Sequence, residues 1–339
     1  MRIGSFDTAE KILVVAEIGN NHEGHADAAE ALVRQAAACG ADAVKFQVFR
    51  ASHFVSRRDE ARFARLSSFE LPYDTFASLA SLARSLGLLF IATPLDLPSA
   101  RFLAGQVDAM KIASGDNDFF PLLEEAARSA KPVIVSSGLS DLTQITRSAR
   151  YIEAQWSRFG VPETARQLAV LHCVSSYPAP PEEVHLSALG TLASALNCTI
   201  GYSDHTLGID ACVAAAAAGA RIIEKHFTLD THYSDFRDHQ LSADPENLRA
   251  LVAAVARVAQ LLGRPEKTLQ PSEAAHAQAI RRSIVAAANL PAGHRIGSDD
   301  LMWIRPADGL RPGDEELLIG HALKHAVAVG EPIRLADIE

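Results

Sequence analysis

The chain has 339 residues, 48% of them hydrophobic and 22% charged, and a formal net charge of −9. That is a globular balance, and the length suits one large domain with a smaller appendage. The acidic excess excludes a dedicated nucleic-acid binder, which needs a basic face, but still allows a local basic pocket around a small anion.

From the N-terminus, the first apolar run, KILVVAEIG, is too short to span a membrane. It follows neither a basic leader nor a small-residue cleavage site, so a cytoplasmic protein with no membrane partner is expected. The Ala-rich run CVAAAAAGA is also too short and reads as a helix packed closely on a sheet. Cys39, Cys173, Cys198 and Cys212 show no C-x-x-C pairing and read as reduced thiols.

Short apolar runs then alternate with longer helical patterns. In order, the strand-like runs are KILVVAEIG, DAVKFQVF, LLFIATP, AMKIASG, PVIVSSG, LAVLHCV, TIGYSDH and RIIEKHFTL. Between them lie stretches such as ADAAEALVRQAAACG and DTFASLASLARSLG, with apolar residues at steps of three and four. Gly40, Gly87 and Gly160 stand where helices would end. Eight such repeats predict an α/β fold, a (β/α)₈ barrel, over residues 1–265; no G-x-G-x-x-G opens the first unit, as a dinucleotide fold would require. The polar stretch after the eighth helix predicts a linker over 266–281. The Pro-, Gly- and Asp-rich texture beyond it predicts a small β-rich domain over 282–339.

Barrel active sites form at the C-terminal ends of the strands. Read in order, those ends carry Glu17 and Asn20, Lys45 and Gln47, Thr93, then Lys111, Ser114 and Asp116. Ser136 and Ser137 follow, then His172, Ser175 and Tyr177, then Ser203, Asp204 and His205, and finally Lys225 and His226. Polar groups at all eight ends favour an active site, because burying them without ligands or partners is costly. Ser203, Asp204 and His205 are consecutive and cannot stack as a hydrolytic triad, and no G-x-S-x-G elbow is present. His205 and His226 end the seventh and eighth strands, which are neighbours in a barrel, and two neutral imidazoles with open positions suit a divalent Lewis acid. Lys45 and Lys111, embedded in apolar strands, suggest a phosphate or carboxylate ligand; a Schiff base is the rival use for Lys111 or Lys225. His22 and His25, in the loop after the first strand, read as solvated or structural unless they too are ligands.

The segments AEIGNNHEG, KFQ, ATP, KIASGD, PVIVSSG, HCVSSYPAP, GYSDHTLG, EKHFTLD and DHQLSADP, in this order, resemble the sialic acid synthase family. SIVAAANLPAGHRIGSDDL and WIRPADG are similar to its antifreeze-like SAF domain, so the resemblance spans nearly the whole chain. It implies condensation of phosphoenolpyruvate with an acylamino sugar, N-acetylmannosamine by default, with release of phosphate. It assigns Lys45, Thr93, Lys111, Ser114, Ser136 and Ser203 to phosphoenolpyruvate, and His205 and His226 to a divalent metal, Mn²⁺ or Mg²⁺. It also assigns Glu17, Gln47, Tyr177 and Asp238 to the sugar, Asp116 to the water that attacks C2, and Arg305 to the N-acyl group across a domain-swapped homodimer. Glu17, Asp116 and Lys111 are the expected catalytic residues.

Three departures fall on the sugar side. Ser175 stands where several members carry asparagine, FRDH (Phe236 to His239) replaces GPDH, and Arg281 stands at a place aromatic in some members. Legionaminic or pseudaminic acid precursors and sugar phosphates therefore remain open as acceptors. A phosphoenolpyruvate aldol synthase of another family is disfavoured by the SAF-like tail. A metal-dependent barrel hydrolase would want an H-x-H on the first strand, and a sugar-binding protein without catalysis would need neither metal nor anion cradle.

Overall fold

The computed structural model describes all 339 residues. A short hairpin, β1 (Arg2–Ile3) and β2 (Phe6–Asp7), comes first. Then follow β3 (Leu13–Gly19), β4 (Ala43–Val48), β5 (Leu89–Pro94), β6 (Ala109–Ile112), β7 (Val133–Ser136), β8 (Leu168–Cys173), β9 (Thr199–Asp204) and β10 (Ile222–His226). These eight strands pair in parallel and in chain order, and β10 closes on β3, giving the expected closed barrel. Most of these strands are rich in Val, Ile, Leu or Ala, and nearly all of their residues are buried on both faces, as in parallel strands covered by helices.

The first turn of the barrel carries α1 (Ala26–Ala38), and α2 (Ala51–Phe54), α3 (Glu60–Phe69) and α4 (Tyr73–Ser85) all follow β4. One helix follows each of the next five strands: α5 (Leu97–Leu103), α6 (Phe120–Arg128), α7 (Leu142–Arg158), α8 (Ala188–Ala195) and α9 (Asp210–Ala217). After β10 come α10 (Arg237–Leu241) and α11 (Pro245–Leu262). Carboxylates start many of them: Asp59, Asp96, Asp141 and Asp244 each accept the N–H three residues on. α1, α4 and α7 stop at Gly40, Gly87 and Gly160, all at positive φ.

Inside the barrel, Leu13, Val15, Ala43, Ile91, Ala109, Ile134, Leu171 and Ile222 form an apolar floor, which Ile3 of the hairpin joins. Gly201 of β9 leaves room for it, since a Cβ there would fall 2.5 Å from Leu171 Cδ2 and 2.6 Å from the Ile222 carbonyl oxygen. One step further along the same inward faces the side chains become polar, and there the site begins.

The chain divides into two compact units between Gly263 and Arg264. Within the expected linker the second unit carries a helix, α12 (Pro271–Ile280), none of whose residues is buried. The rest of that unit is built on an antiparallel pair, β11 (Ser283–Ala286) and β12 (Leu301–Ile304), around Ile284, Leu290, Ile296, Leu318, Val327 and Ile333. No helix is long and apolar enough to cross a membrane.

Candidate active site

Residues two apart on a strand share a face, so the inward row continues from the floor to Glu17 on β3, Lys45 and Gln47 on β4, Thr93 on β5 and Lys111 on β6. It is completed by Ser136 on β7, Ser203 on β9, and Glu224 and His226 on β10. Glu17, Lys45, Lys111 and Glu224 are 2%, 3%, 2% and 5% exposed, so four charges sit essentially out of water. They survive by pairing. Lys45 Nζ lies 2.9 Å from Glu17 and 3.7 Å from Glu224, and donates to Thr93 Oγ1 at 3.2 Å. Lys111 Nζ lies 3.5 Å from Glu224 and donates to Ser136 Oγ at 2.7 Å, while the Ser203 hydroxyl donates to Glu224 at 2.8 Å.

Environment separates the two carboxylates. Burial lifts Glu17 above the usual carboxylate range despite Lys45 beside it. Burial also acts on Glu224, but Lys111 and Lys45 outweigh it and carry that group down to about 2. Burial pushes Lys111 down, whereas for Lys45 the two carboxylates overcome burial and lift it.

Glu224 is the central residue that sequence reasoning missed. The eighth strand was represented by Lys225 and His226, but consecutive strand residues point to opposite faces. Glu224 and His226 face the site, while Lys225 points toward the helices. There its ammonium contacts Asp204 at 2.7 Å, with both side chains inaccessible. Asp204 also accepts from the Tyr202 hydroxyl at 2.9 Å and the Thr206 N–H at 3.0 Å, so this pair fixes the loop that carries His205. Alternation applied to Ile222, Glu224 and His226 would have found the carboxylate.

The imidazoles of His205 and His226 lie 5.5 Å apart, centroid to centroid, and the Tyr177 ring lies 4.1 Å from His205, tilted by 39°. His205 Nδ1 donates to the Val174 carbonyl at 2.8 Å, which in the neutral ring leaves the lone pair on Nε2; burial lowers its pKa, but Cys173 and that carbonyl outweigh burial and raise it. His226 Nδ1 is buried without a partner. Burial, then the neighbouring His205 and lysines, hold His226 far below its ordinary pKa and so neutral. No three His, Cys, Asp or Glu side chains converge on one point. The donors present fit a divalent ion held by two imidazoles, its other positions open to oxygen ligands. His22 does not join them: its Nδ1 accepts the Gly24 N–H at 3.0 Å, and its ring is buried against Phe46 and Phe76. His25 is exposed ahead of α1.

A cleft of about 900 Å³ opens above His226 and brings together Asn20, Gln47, Tyr177 and Asp238, with Phe54 and Phe236 on its apolar wall. Each residue of the segment FRDH also reaches outside it or into the cleft. Phe236 packs edge-on against Phe69, Arg237 lies over the Tyr177 ring, and Asp238, whose Oδ1 makes no hydrogen bond but lies 3.5 Å from Arg237 Nε, is lifted by burial. His239 is clamped between Thr228 Oγ1 at 2.6 Å and Glu23 Oε1 at 2.9 Å, tying the loop after β10 to the loop after β3. Ser175 does not line this cleft but a second one of about 580 Å³, with Ser137 and Cys173. Ser114 and Asp116 form the turn after β6, where burial, helped by Asp118, lifts Asp116 to about 6. Arg305 belongs to the second unit, exposed beside Trp303 and Ile304. The end of α12 carries the exposed Arg281.

A closed barrel whose strand ends bear a buried lysine–carboxylate ring and a neighbouring pair of imidazoles, with a small β unit as a second compact body, has the architecture of a barrel enzyme. Residues 32–267 match the model of the NeuB family, and residues 281–339 match that of the SAF domain. The chain belongs to the NeuB family. It is 41% identical to an uncharacterised protein of Methanocaldococcus jannaschii, over 93% of this chain and 91% of that one. It is 34% identical to the N,N'-diacetyllegionaminic acid synthase of Legionella pneumophila, over 96% and 94%. Among solved structures, the N-acetylneuraminic acid (sialic acid) synthetase of Leptospira borgpetersenii, in complex with citrate, superposes with a TM-score of 0.74. The identity there is 32%, over 81% of this chain and 94% of that one.

Proposed function

We propose that the chain condenses phosphoenolpyruvate with the open aldehyde form of an acylamino sugar, giving a nonulosonic acid and inorganic phosphate. One arrangement carries the reading. Two buried lysines ringed by hydroxyls suit a small anion, and next to them two imidazoles with unused lone pairs suit a polarised carbonyl. Membership of the NeuB family, with relatives named as legionaminic and sialic acid synthases, supports it.

Lys45, Thr93, Lys111, Ser114, Ser136 and Ser203 bind phosphoenolpyruvate, and Gln47, Tyr177 and Asp238 orient the acceptor. His205 and His226 hold a divalent cation, Mn²⁺ or Mg²⁺, which when bound supplies Lewis acidity toward the acceptor carbonyl. C3 of the enol forms the new bond to the aldehyde carbon, and the aldehyde oxygen takes a proton from Glu17, which burial keeps protonated more readily than usual. Positive charge developing at C2 is countered by the ionised Glu224. Water bonds to C2 as Asp116, poised at about 6, takes its proton. The C2–O bond to phosphate then breaks, the phosphate leaves with the electron pair and the remaining hydroxyl proton, and C2 becomes a ketone.

A swapped dimer, with Arg305 reaching the acyl group in the partner's barrel, belongs to the same proposal. It is supported by the uncovered apolar side chains around the interdomain segment, Leu261, Leu269 and Ile280, and by the exposure of Arg305. The test is phosphate release from phosphoenolpyruvate with Mn²⁺ and a panel of N-acylated amino sugars and their phosphate esters. No release with any sugar overturns the reading. For the dimer, mixing Arg305→Ala with His226→Ala chains restores activity, and the absence of complementation removes the swap.

A further inference from the structure

Three residues on the wall of the acceptor cleft carry a buried nitrogen or oxygen without a hydrogen-bond partner: Asn20 Oδ1, His226 Nδ1 and Asp238 Oδ1. A buried polar atom left unpaired is costly, and in a cleft wall a ligand can supply the missing partner. Two of the three are accounted for. His226 belongs to the cation, and Asp238 Oδ1 lies 3.5 Å from Arg237 Nε. Neither account covers Asn20, which is only 6% exposed.

The orientation of Asn20 is imposed from the buried ring below it. Gly19, the last residue of β3, leaves Glu17 and Gln47 room to meet: a Cβ there would fall 3.1 Å from Glu17 Oε1 and 3.6 Å from Gln47 Nε2. Through that space Gln47 Nε2 donates to Glu17 Oε1 at 3.5 Å, and Gln47 Oε1 accepts from Asn20 Nδ2 at 2.9 Å. Both amides thus turn their nitrogens toward Glu17, and the row ends in an oxygen, Asn20 Oδ1. Asn21, the next residue, serves the fold instead. Its Nδ2 donates to the Phe227 carbonyl at 2.8 Å and to Ser242 Oγ at 3.0 Å, and it is absent from the cleft wall. The row also says where along the acceptor Asn20 acts. Glu17 and His226, paired across β3 and β10, stand at the aldehyde end, and a single amide separates Glu17 from Asn20.

We infer that Asn20 selects the acceptor: its side-chain oxygen receives one hydrogen-bond donor, an acylamino N–H or a hydroxyl, from a carbon close to the aldehyde, C2 to C4. This rests on the reading of the cleft as the acceptor site. The N–H and the hydroxyl share the required chemistry, and analogues that each lack one donor tell them apart.

The test is steady-state phosphate release by the full chain with Mn²⁺ and phosphoenolpyruvate. The acceptor is N-acetylmannosamine, or its 6-phosphate where only the ester turns over. Beside it stand three analogues of the same sugar: N-methylated on the C2 acylamino group, 3-deoxy and 4-deoxy. Asn20→Ala lowers kcat/KM for the complete acceptor about five- to tenfold, the loss of one hydrogen bond, and leaves KM for phosphoenolpyruvate within about twofold. On the analogue that lacks the bonded donor, parent and variant agree within about twofold, while on the other two the gap persists. Cancellation with the N-methyl analogue assigns the N–H, and with a deoxy analogue the hydroxyl. Asn20→Asp, which keeps an oxygen in the same shape, retains the parent's discrimination between the complete acceptor and that analogue. An equal penalty on all four acceptors means that Asn20 only steadies Gln47 and Glu17, and overturns the inference, as does an Asn20→Ala chain with full activity. A parent chain that releases no phosphate with any acylamino sugar overturns the reading of the acceptor cleft as well.

Discussion

Replacing Glu224 by glutamine removes one negative charge from between two buried ammonium groups while nearly preserving shape. The carboxylate lies 3.7 Å from Lys45 and 3.5 Å from Lys111, and Lys111 has no other carboxylate within ion-pair distance. At an effective dielectric constant near 20 each contact is worth about 4–5 kcal/mol before desolvation, and breaking a buried pair typically costs about 3–5 kcal/mol net. The shift of Glu224 from an ordinary 4.5 to about 2 corresponds independently to about 3 kcal/mol. Glu224→Gln is therefore expected to destabilise the barrel by about 3 kcal/mol at pH 7. Because the folded pKa is depressed, that stability is fully present above pH 4.5 and fades as pH falls toward 2. The gap between parent and variant should close over the same window. Inorganic phosphate, an anion able to replace the lost charge beside Lys111, should stabilise the variant more than the parent. Equilibrium urea unfolding reads this through buried Trp156 of α7, with Trp303→Phe silencing the second unit. Equal stability of the two proteins at pH 7, or a gap that widens on acidification, would refute the electrostatic account of the ring.

Four further outcomes follow from the same geometry. His205→Ala and His226→Ala abolish metal-stimulated phosphate release while the fold is retained, and a chelator reproduces the loss in the parent protein; full turnover in chelator removes the metal role. His239→Ala frees the clamp between Glu23 and Thr228, raising KM for the acceptor about tenfold and leaving phosphoenolpyruvate affinity unchanged in calorimetry. Asp204→Asn strands the buried Lys225 ammonium and costs about 3–5 kcal/mol in denaturant unfolding. Borohydride in the presence of pyruvate leaves Lys225 of the parent unmodified, by intact mass.

The barrel was legible because its signal is local and repeated. Most strands are short runs rich in Val, Ile, Leu or Ala, several joining segments have a three-and-four rhythm, and glycine marks several helix ends. The helices α2, α3 and α12 were not singled out. The first is a single turn, and α12 opens with Pro271 inside a polar stretch and buries nothing, so neither shows an apolar stripe to read. The hairpin β1–β2 is two residues per strand, below what alternation can register.

At the site, position along a strand was readable and direction was not. Listing polar residues at strand ends found Lys45, Lys111, Ser203, His205 and His226, all of which point inward. It also swept in Lys225, which points outward, and passed over Glu224, which lies one residue nearer the floor. Parity within a strand resolves that case. It cannot resolve Ser175, which sits in a loop beyond β8 where no alternation holds, and whose neighbours Ser114 and Gly138 come from the loops beyond β6 and β7. The pairing of β6 with β7 and of β7 with β8 brings those three loops side by side. Loop residues tied to family position therefore need their contacts seen before a substrate is assigned to them, whereas inward strand residues can be assigned from the register of β10 against β3, which pairs His226 with Glu17.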